Sequence, residues 1–128
     1  MSIRILLLED EPDQLKKMKA IIASISSYDI NLECYSEGIG AYDAVMKKTY
    51  DVCLLDFVVP GLTGIELAQK LEENNSKIQI VMITSQIEKE KFRQNSAIKY
   101  WLLKPAEEAA IRKVIIDVCE SVVSKEVV

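Results

Sequence analysis

Short apolar runs alternate five times with stretches whose apolar residues recur at helical spacing, and few folds accommodate that rhythm. The runs are Ile3–Leu8, Ile30–Tyr35, Val52–Phe57, Ile78–Ile83 and Tyr100–Leu103. Each is too short for a helix of its own and reads as a strand. Between them lie Pro12 to about Ser26, with Leu15, Met18, Ile21, Ile22 and Ile25 on one stripe, then Gly38–Lys48 and Ile65–Glu73. Glu88–Asn95 is polar and weakly amphipathic. Pro105 to about Val122 carries Ile111, Val114, Ile115, Val118 and Val122 on one face. Pro12 suits a first helical turn, where its missing N–H costs nothing, and Pro60-Gly61 marks a turn. Strands that alternate with helices predict a doubly wound α/β fold, (βα)5, with a five-stranded parallel sheet covered on both faces.

The chain has 128 residues, which fits one domain. The expectation is a single domain over 1–128, with its core over about 3–122 and a frayed tail, or the start of a linker, over 123–128. With 20 acids and 16 bases the net charge is −4. That balance gives no general attraction to nucleic-acid phosphates or anionic lipid, so no direct nucleic-acid or membrane partner is expected. No apolar stretch approaches the ~20 residues that span a bilayer, and the protein is expected to be cytoplasmic. There is no histidine, which excludes histidine-based catalysis. Cys34, Cys53 and Cys119 lie far apart beside apolar residues, without zinc spacing, and read as buried small hydrophobes.

The chemistry-bearing residues collect just after the strands. Glu9, Asp10 and Glu11 follow the first, Asp56 ends the third, Thr84 and Ser85 follow the fourth, and Lys104-Pro105 follows the fifth. In an open parallel sheet ligands bind outside the carboxyl ends of the strands. If the strand order is 2-1-3-4-5, then Glu9, Asp10 and Asp56 crowd together, flanked by a hydroxyl and an ammonium. Several like charges need a counter-charge. A hard divalent cation such as Mg2+, which takes few carboxylates and completes its shell with phosphate, supplies one. This is the pattern of a phosphoryl-transfer site with a carboxylate nucleophile. Taken singly, the acids after the first strand also suit a helix N-terminus, and Asp56 also suits a turn.

ILLLEDE, LLDFVVPGLTGIEL, VMITS and WLLKP, in that order, resemble the response-regulator receiver domains of two-component signalling, the CheY-like, flavodoxin-like superfamily. The resemblance spans about Ile3 to Val122 and implies that strand order. It implies that Asp56 is the phosphoacceptor and that Asp10 and Asp56 bind Mg2+ directly. Glu9 then acts through a water, and the backbone carbonyl of Val58 is a further ligand. Thr84 and Lys104 engage the phosphoryl group, and Trp101 is the switch aromatic, with Tyr100 beside it as the alternative. Val58 and Gln86 flank the path of the hydrolytic water, and the Lys104-Pro105 bond is cis. The implied phosphodonor is a histidine kinase or histidine phosphotransfer protein. The implied output is a domain or downstream protein that reads the face of the fourth helix, fifth strand and fifth helix, where Lys89, Lys91 and Arg93 stand against Glu107 and Glu108. A phosphorylation-dependent homodimer also belongs to the implied partners. One large subfamily carries an acid where Tyr100 stands, which argues against its salt-bridged style of dimer. Ala97-Ile98 replaces the Gly-Ala common before the fifth strand, so the loop there is expected to differ.

Other classes fit less well. Aspartyl phosphotransferase enzymes of the haloacid-dehalogenase type carry a second acid two residues after the nucleophile, and Val58 cannot transfer protons. A nucleotide-binding module needs a glycine-rich loop where EDEPD stands. A degenerate receiver acting only as a binding module is opposed by the complete residue set.

Overall fold

The structure is a computed structural model that describes residues 2–74, 76–92 and 97–127; the side chains of Gln86, Glu126 and Val127 lie outside the described set. The elements run β1 (Ser2–Leu8), α1 (Pro12–Ala23), β2 (Asp29–Tyr35), α2 (Gly38–Lys47), β3 (Val52–Asp56), α3 (Gly64–Glu73), β4 (Gln79–Thr84), α4 (Gln86–Phe92), β5 (Ile98–Leu103) and α5 (Glu108–Val127). The strands form one parallel sheet in the order β2-β1-β3-β4-β5, as expected. No helix among the described residues is long and apolar enough to cross a membrane.

The central strands are apolar without alternation because both their faces are covered. Ile3, Ile5 and Leu7 of β1, Val52 and Leu54 of β3 and Val81 and Ile83 of β4 join Met18, Ile21 and Ile22 of α1 and Ile111, Ile115 and Val118 of α5. The residues between them, Leu6, Leu8, Cys53, Leu55, Ile80 and Met82, pack with Ala41 and Ala44 of α2 and Ile65, Leu67, Ala68 and Leu71 of α3. Two half-cores thus lie back to back across the sheet.

The element ends have local causes. Glu11 caps α1, its carboxylate accepting from the N–H groups of Asp13 at 3.1 Å and Gln14 at 2.7 Å, with Pro12 in the first turn. Thr63 and Glu66 close a capping box at α3. α1 stops at Ala23, short of Ser26, where the Ser24 hydroxyl donates to the Ile21 carbonyl at 2.6 Å and competes with the helical ladder. α4 starts two residues before the expected Glu88, because the Ser85 hydroxyl accepts the Glu88 N–H. The expected end of that helix at Asn95 lies outside the described residues, as do Arg93 and Val128. α5 starts at Glu108 rather than Pro105, the chain bending first over Lys104 and Pro105. It continues through the expected tail to Val127, since Val123–Glu126 contains no helix breaker and Val122 is still buried. β5 begins at Ile98, which is buried rather than part of a loop.

The β4–β5 register slips between Ile80 and Val81: Ile80 pairs with Ile98 but Val81 with Tyr100, so Lys99 is an extra residue on β5. A bulge of this kind reverses the side-chain alternation. Tyr100 therefore packs on the α1/α5 side, and Trp101 joins Ile98 on the α2/α3 side.

On β2, Glu33 accepts from Tyr50 Oη at 2.8 Å, Lys48 Nζ at 3.0 Å and Arg4 Nη2 at 3.2 Å. The Lys48 bond first, then that of Tyr50, lowers its carboxyl from 4.5 to about 2. Stability linked to a depressed carboxyl is present above the unfolded value and disappears as pH falls through the folded one. Wild type should therefore lose stability between about pH 4.5 and 2 more steeply than Glu33→Gln, as read from urea midpoints across that range.

Candidate phosphoacceptor site

The Glu9 N–H donates to the Tyr35 carbonyl at 3.0 Å, which carries the β1–β2 pairing one residue past β1 and draws Glu9 inward. Its side chain is 1% exposed and accepts the Glu11 N–H at 3.1 Å, while Asp10 is exposed. β3 lies beside β1, with Leu8 opposite Leu55, so its last residue, Asp56, comes up next to Glu9. Asp56 is 2% exposed. One carboxylate oxygen from each of Glu9, Asp10 and Asp56 lies within 4.8 Å of the others.

The lysine arrives from the far side of β4. The Lys104 N–H donates to the Thr84 carbonyl at 2.8 Å, which extends the β4–β5 ladder. Its ammonium then crosses the end of β4 to Asp56, 3.0 Å from Oδ1 and 2.9 Å from Oδ2. The Lys104-Pro105 peptide is cis, as expected. Thr84 is 2% exposed, and among the described residues its Oγ1 has no hydrogen-bond partner. A buried hydroxyl without a partner is costly, and this one lies at the end of the strand between Asp56 and Lys104.

The loop after Asp56 is held tightly. The Val58 N–H donates to Asp56 Oδ1 at 3.2 Å, and the Val58 side chain is 68% exposed. Gly61 has φ +76°, a left-handed conformation that suits glycine. Gly64 was not singled out by its sequence, yet a Cβ there would lie 2.3 Å from the Asp56 carbonyl oxygen. Only glycine lets the start of α3 approach β3 so closely, and its one sequence signal is its place after the Thr63 cap. The ring contact between Phe57 and Phe92, 5.3 Å between centroids, was likewise not anticipated; it ties α4 to the residue next to Asp56.

Burial is the main reason the Glu9 carboxyl is raised from 4.5 to about 7. Its hydrogen bond with Asp56 and the Asp56 charge add to this, while the Glu11 N–H and Lys104 oppose it. Three acids with one ammonium leave a local excess of negative charge, and an all-oxygen donor set suits a hard divalent cation.

The structure thus brings Glu9, Asp10, Asp56, Thr84 and Lys104 to one edge of the sheet. Trp101 sits opposite Met82 on the sheet face that Thr84 shares by register, whereas Tyr100 faces the other half-core. The Gln86 side chain lies outside the described residues. Cys53 and Cys119 are buried and Cys34 half-buried, all three unpaired. Burial raises the Cys53 thiol to about 12 and that of Cys119 to about 11, so both behave as small core residues.

The fold and the site together define a doubly wound α/β domain with a cluster of acids and a lysine at the carboxyl edge of its sheet. Residues 5–116 match the model of the response regulator receiver domain, and the chain belongs to that family. It is 32% identical over 88 residues to the transcriptional regulatory protein RprY of Bacteroides fragilis, covering 69% of this chain and 36% of that protein. It is 31% identical over 98 residues to transcription factor prr1 of Schizosaccharomyces pombe, covering 77% of this chain and 17% of that one. The chain thus spans about a third or less of the length of these relatives. The response regulatory domain of mrkE from Klebsiella pneumoniae superposes with a TM-score of 0.84 at 22% identity, covering 95% of this chain and 99% of that one. The receiver domain of the sensor histidine kinase PA1611 from Pseudomonas aeruginosa, solved with magnesium in its active-site cleft, superposes at 0.77 and 20% identity, covering 91% and 97%. These two establish the shared fold.

A carboxyl raised by folding stabilises fully below its unfolded value, and that contribution is lost as pH rises through the folded value. For Glu9 the window runs from about 4.5 to about 7, clear of that of Glu33. In chelator, the urea midpoint should fall across this window, and Glu9→Gln should flatten the fall. An equal slope in the variant would assign the effect elsewhere.

Proposed function

We propose that this chain is a phosphoacceptor switch of a two-component or phosphorelay system, in which Asp56 takes a phosphoryl group from a histidine kinase or histidine phosphotransfer protein in the cytoplasm. The observation that carries the reading is the Asp56 carboxylate itself: out of water, gripped on both oxygens by Lys104, and gathered with Glu9 and Asp10. An Asp56 oxygen attacks the phosphorus of phosphohistidine. The P–N bond breaks, and the imidazole, already protonated on its other ring nitrogen in the phosphodonor, leaves neutral with the electron pair. Asp10 and Asp56 would hold Mg2+, with Glu9 and the Val58 carbonyl completing the protein's contribution. Bound there, Mg2+ would supply positive charge to offset that of the phosphoryl oxygens. Lys104 neutralises a further oxygen, and the Thr84 hydroxyl, which has no partner among the described residues, offers the phosphoryl group a donor. The chain is then a switch with self-phosphorylation and autodephosphorylation chemistry rather than an enzyme for an external substrate. Its partners are the phosphodonor and an output domain or downstream protein; a degenerate, phosphorylation-independent binding module is the reading it displaces.

Phosphorylation adds about −1.5 to −2 charge. Thr84 moves toward it, and Trp101, on the same face, fills the vacated space. The α4–β5–α5 surface, with Lys89 and Lys91 against Glu107 and Glu108, changes as a shift between states already populated. A homodimer formed through this surface is one form the output takes.

Incubation with phosphoramidate and Mg2+ should add one phosphoryl group, mapped to Asp56 by mass spectrometry, and change tryptophan fluorescence. Asp56→Asn should take up none, and label on that variant would refute the acceptor assignment. Millimolar Mg2+ should also raise the melting temperature by mass action.

Val58 and Gln86 stand two residues after the acceptor and the threonine. Valine has neither donor nor acceptor and sheds water from the in-line approach to phosphorus, whereas an amide such as that of Gln86 can bond a water but is too weakly basic to deprotonate it. The phosphorylated state should therefore be long-lived. Val58→Asn should release phosphate roughly tenfold faster, within the range that orientation of an attacking water commands. Continuous phosphate release from purified phosphoprotein reads this directly, and an unchanged or slower rate would remove Val58 from control of the lifetime.

A further inference from the structure

We infer that Lys17 is a positioning residue for phosphoryl transfer: its ammonium ties the β5–α5 loop to α1 and so sets where the Lys104 ammonium stands over Asp56. The inference rests on the phosphoacceptor reading above.

Lys104 hangs from a short segment between the end of β5 at Leu103 and the start of α5 at Glu108. Pro105 has no N–H to bond. On the β4 side the segment is held by the Lys104 N–H on the Thr84 carbonyl. On the other side, Lys17 Nζ donates to the Ala106 carbonyl at 2.7 Å, across 89 positions of sequence. Ala106 is 9% exposed and packs into the α1/α5 half-core. Among the described residues Lys17 supplies the one hydrogen bond from another element's side chain to this loop. An ammonium-to-carbonyl bond is charge-assisted and stronger than its neutral counterpart.

The same helix is bonded to the other half of the site. Its cap residue, Glu11, donates its N–H to the Glu9 carboxylate, and Lys17 follows six positions later on α1. One rigid helix therefore holds the acidic cluster near its start and the lysine loop further along. Arg112 Nη1 also donates to the Ser24 Oγ at 2.8 Å, so α5 and α1 are tied again beyond the loop. That contact fixes the helices, whereas the Lys17 bond grips the segment bearing Lys104 on its α1 side, opposite the Lys104 N–H bond to the Thr84 carbonyl. With the ammonium removed, the loop keeps its apolar contact at Ala106 and its bond to Thr84 but loses its polar anchor on α1, and Lys104 samples positions away from Asp56. Losing geometry at a charge-stabilising group slows transfer without touching the nucleophile.

The test is a double-mutant cycle on the rate of Asp56 phosphorylation by phosphoramidate with saturating Mg2+, in wild type, Lys17→Met, Lys104→Met and the double variant. Methionine keeps the stem and the helix propensity of lysine. The expected result is about a tenfold slower rate for Lys17→Met, inside the hundredfold that a roughly 1 Å misplacement costs, and no further slowing when it is added to Lys104→Met. Lys17→Arg, which keeps the donor, should remain within about twofold of wild type. A Lys17→Met rate equal to wild type overturns the inference. So does equal slowing in both backgrounds, which marks a purely structural role, or a Lys17→Arg as slow as Lys17→Met. If Lys17→Met fails to fold, Lys17→Ala, which removes the ammonium and is the strongest helix former, and its cycle with Lys104→Met carry the same decision. Wild type that takes up no phosphoryl group at Asp56 fails the phosphoacceptor reading instead, and the two failures are told apart by that control.

Discussion

An excess of negative charge held out of water governs this molecule. Glu9 and Asp56 are buried side by side, with Asp10 at the mouth and one ammonium against them. Removing a carboxylate from water is expensive unless it is paired and hydrogen-bonded. Almost every local feature near the sheet's carboxyl edge answers that cost: the Glu11 N–H on Glu9, the Val58 N–H on Asp56, and Lys104 reaching past β4. What remains uncompensated is left to ligands. Burial raises the Glu9 carboxyl beside Asp56 and Asp10, an all-oxygen group, and among the described residues the Thr84 hydroxyl has no hydrogen-bond partner.

The scaffold makes this arrangement affordable. Two half-cores clamp the sheet from both sides and hold its strands in register beneath the loops that carry the site. Because β1 and β3 are neighbours and β5 lies beyond β4, acids and lysine come from opposite sides and meet over the middle of the sheet. The same division separates tasks by face. Asp56 has the parity of Val52 and Leu54, toward α1 and α5, and Thr84 that of Ile80 and Met82, toward α3. In the proposed cycle, chemistry on one face is thus read out through Thr84 and Trp101 on the other.

Alternation of apolar runs and helical stripes made the fold class legible, because each period has a single geometric meaning and all five repeats agree. The site residues were legible for a related reason. Charged residues that directly follow apolar runs must emerge at the strand ends, and in a parallel sheet those ends share one edge. Boundaries were less legible: the Ser24 hydroxyl and the Ser85 cap moved helix ends by two or three residues through bonds whose geometry no periodicity encodes.

By itself, then, the sequence determined the (βα)5 architecture, the apolar faces and the inventory of Glu9, Asp10, Asp56, Thr84 and Lys104, since these depend on local spacing and residue chemistry. Tertiary structure alone decided three matters. The extra residue at Lys99 turned Trp101 rather than Tyr100 toward the face of Thr84, because a bulge reverses parity without any mark in composition. Gly64 proved indispensable through a backbone approach to Asp56 that only the packed pair of elements creates. Lys17, one of several lysines along α1, was distinguished by a carbonyl 89 residues away. A contact between distant positions exists only once the chain has closed, and the side chain that makes it looks locally like its neighbours.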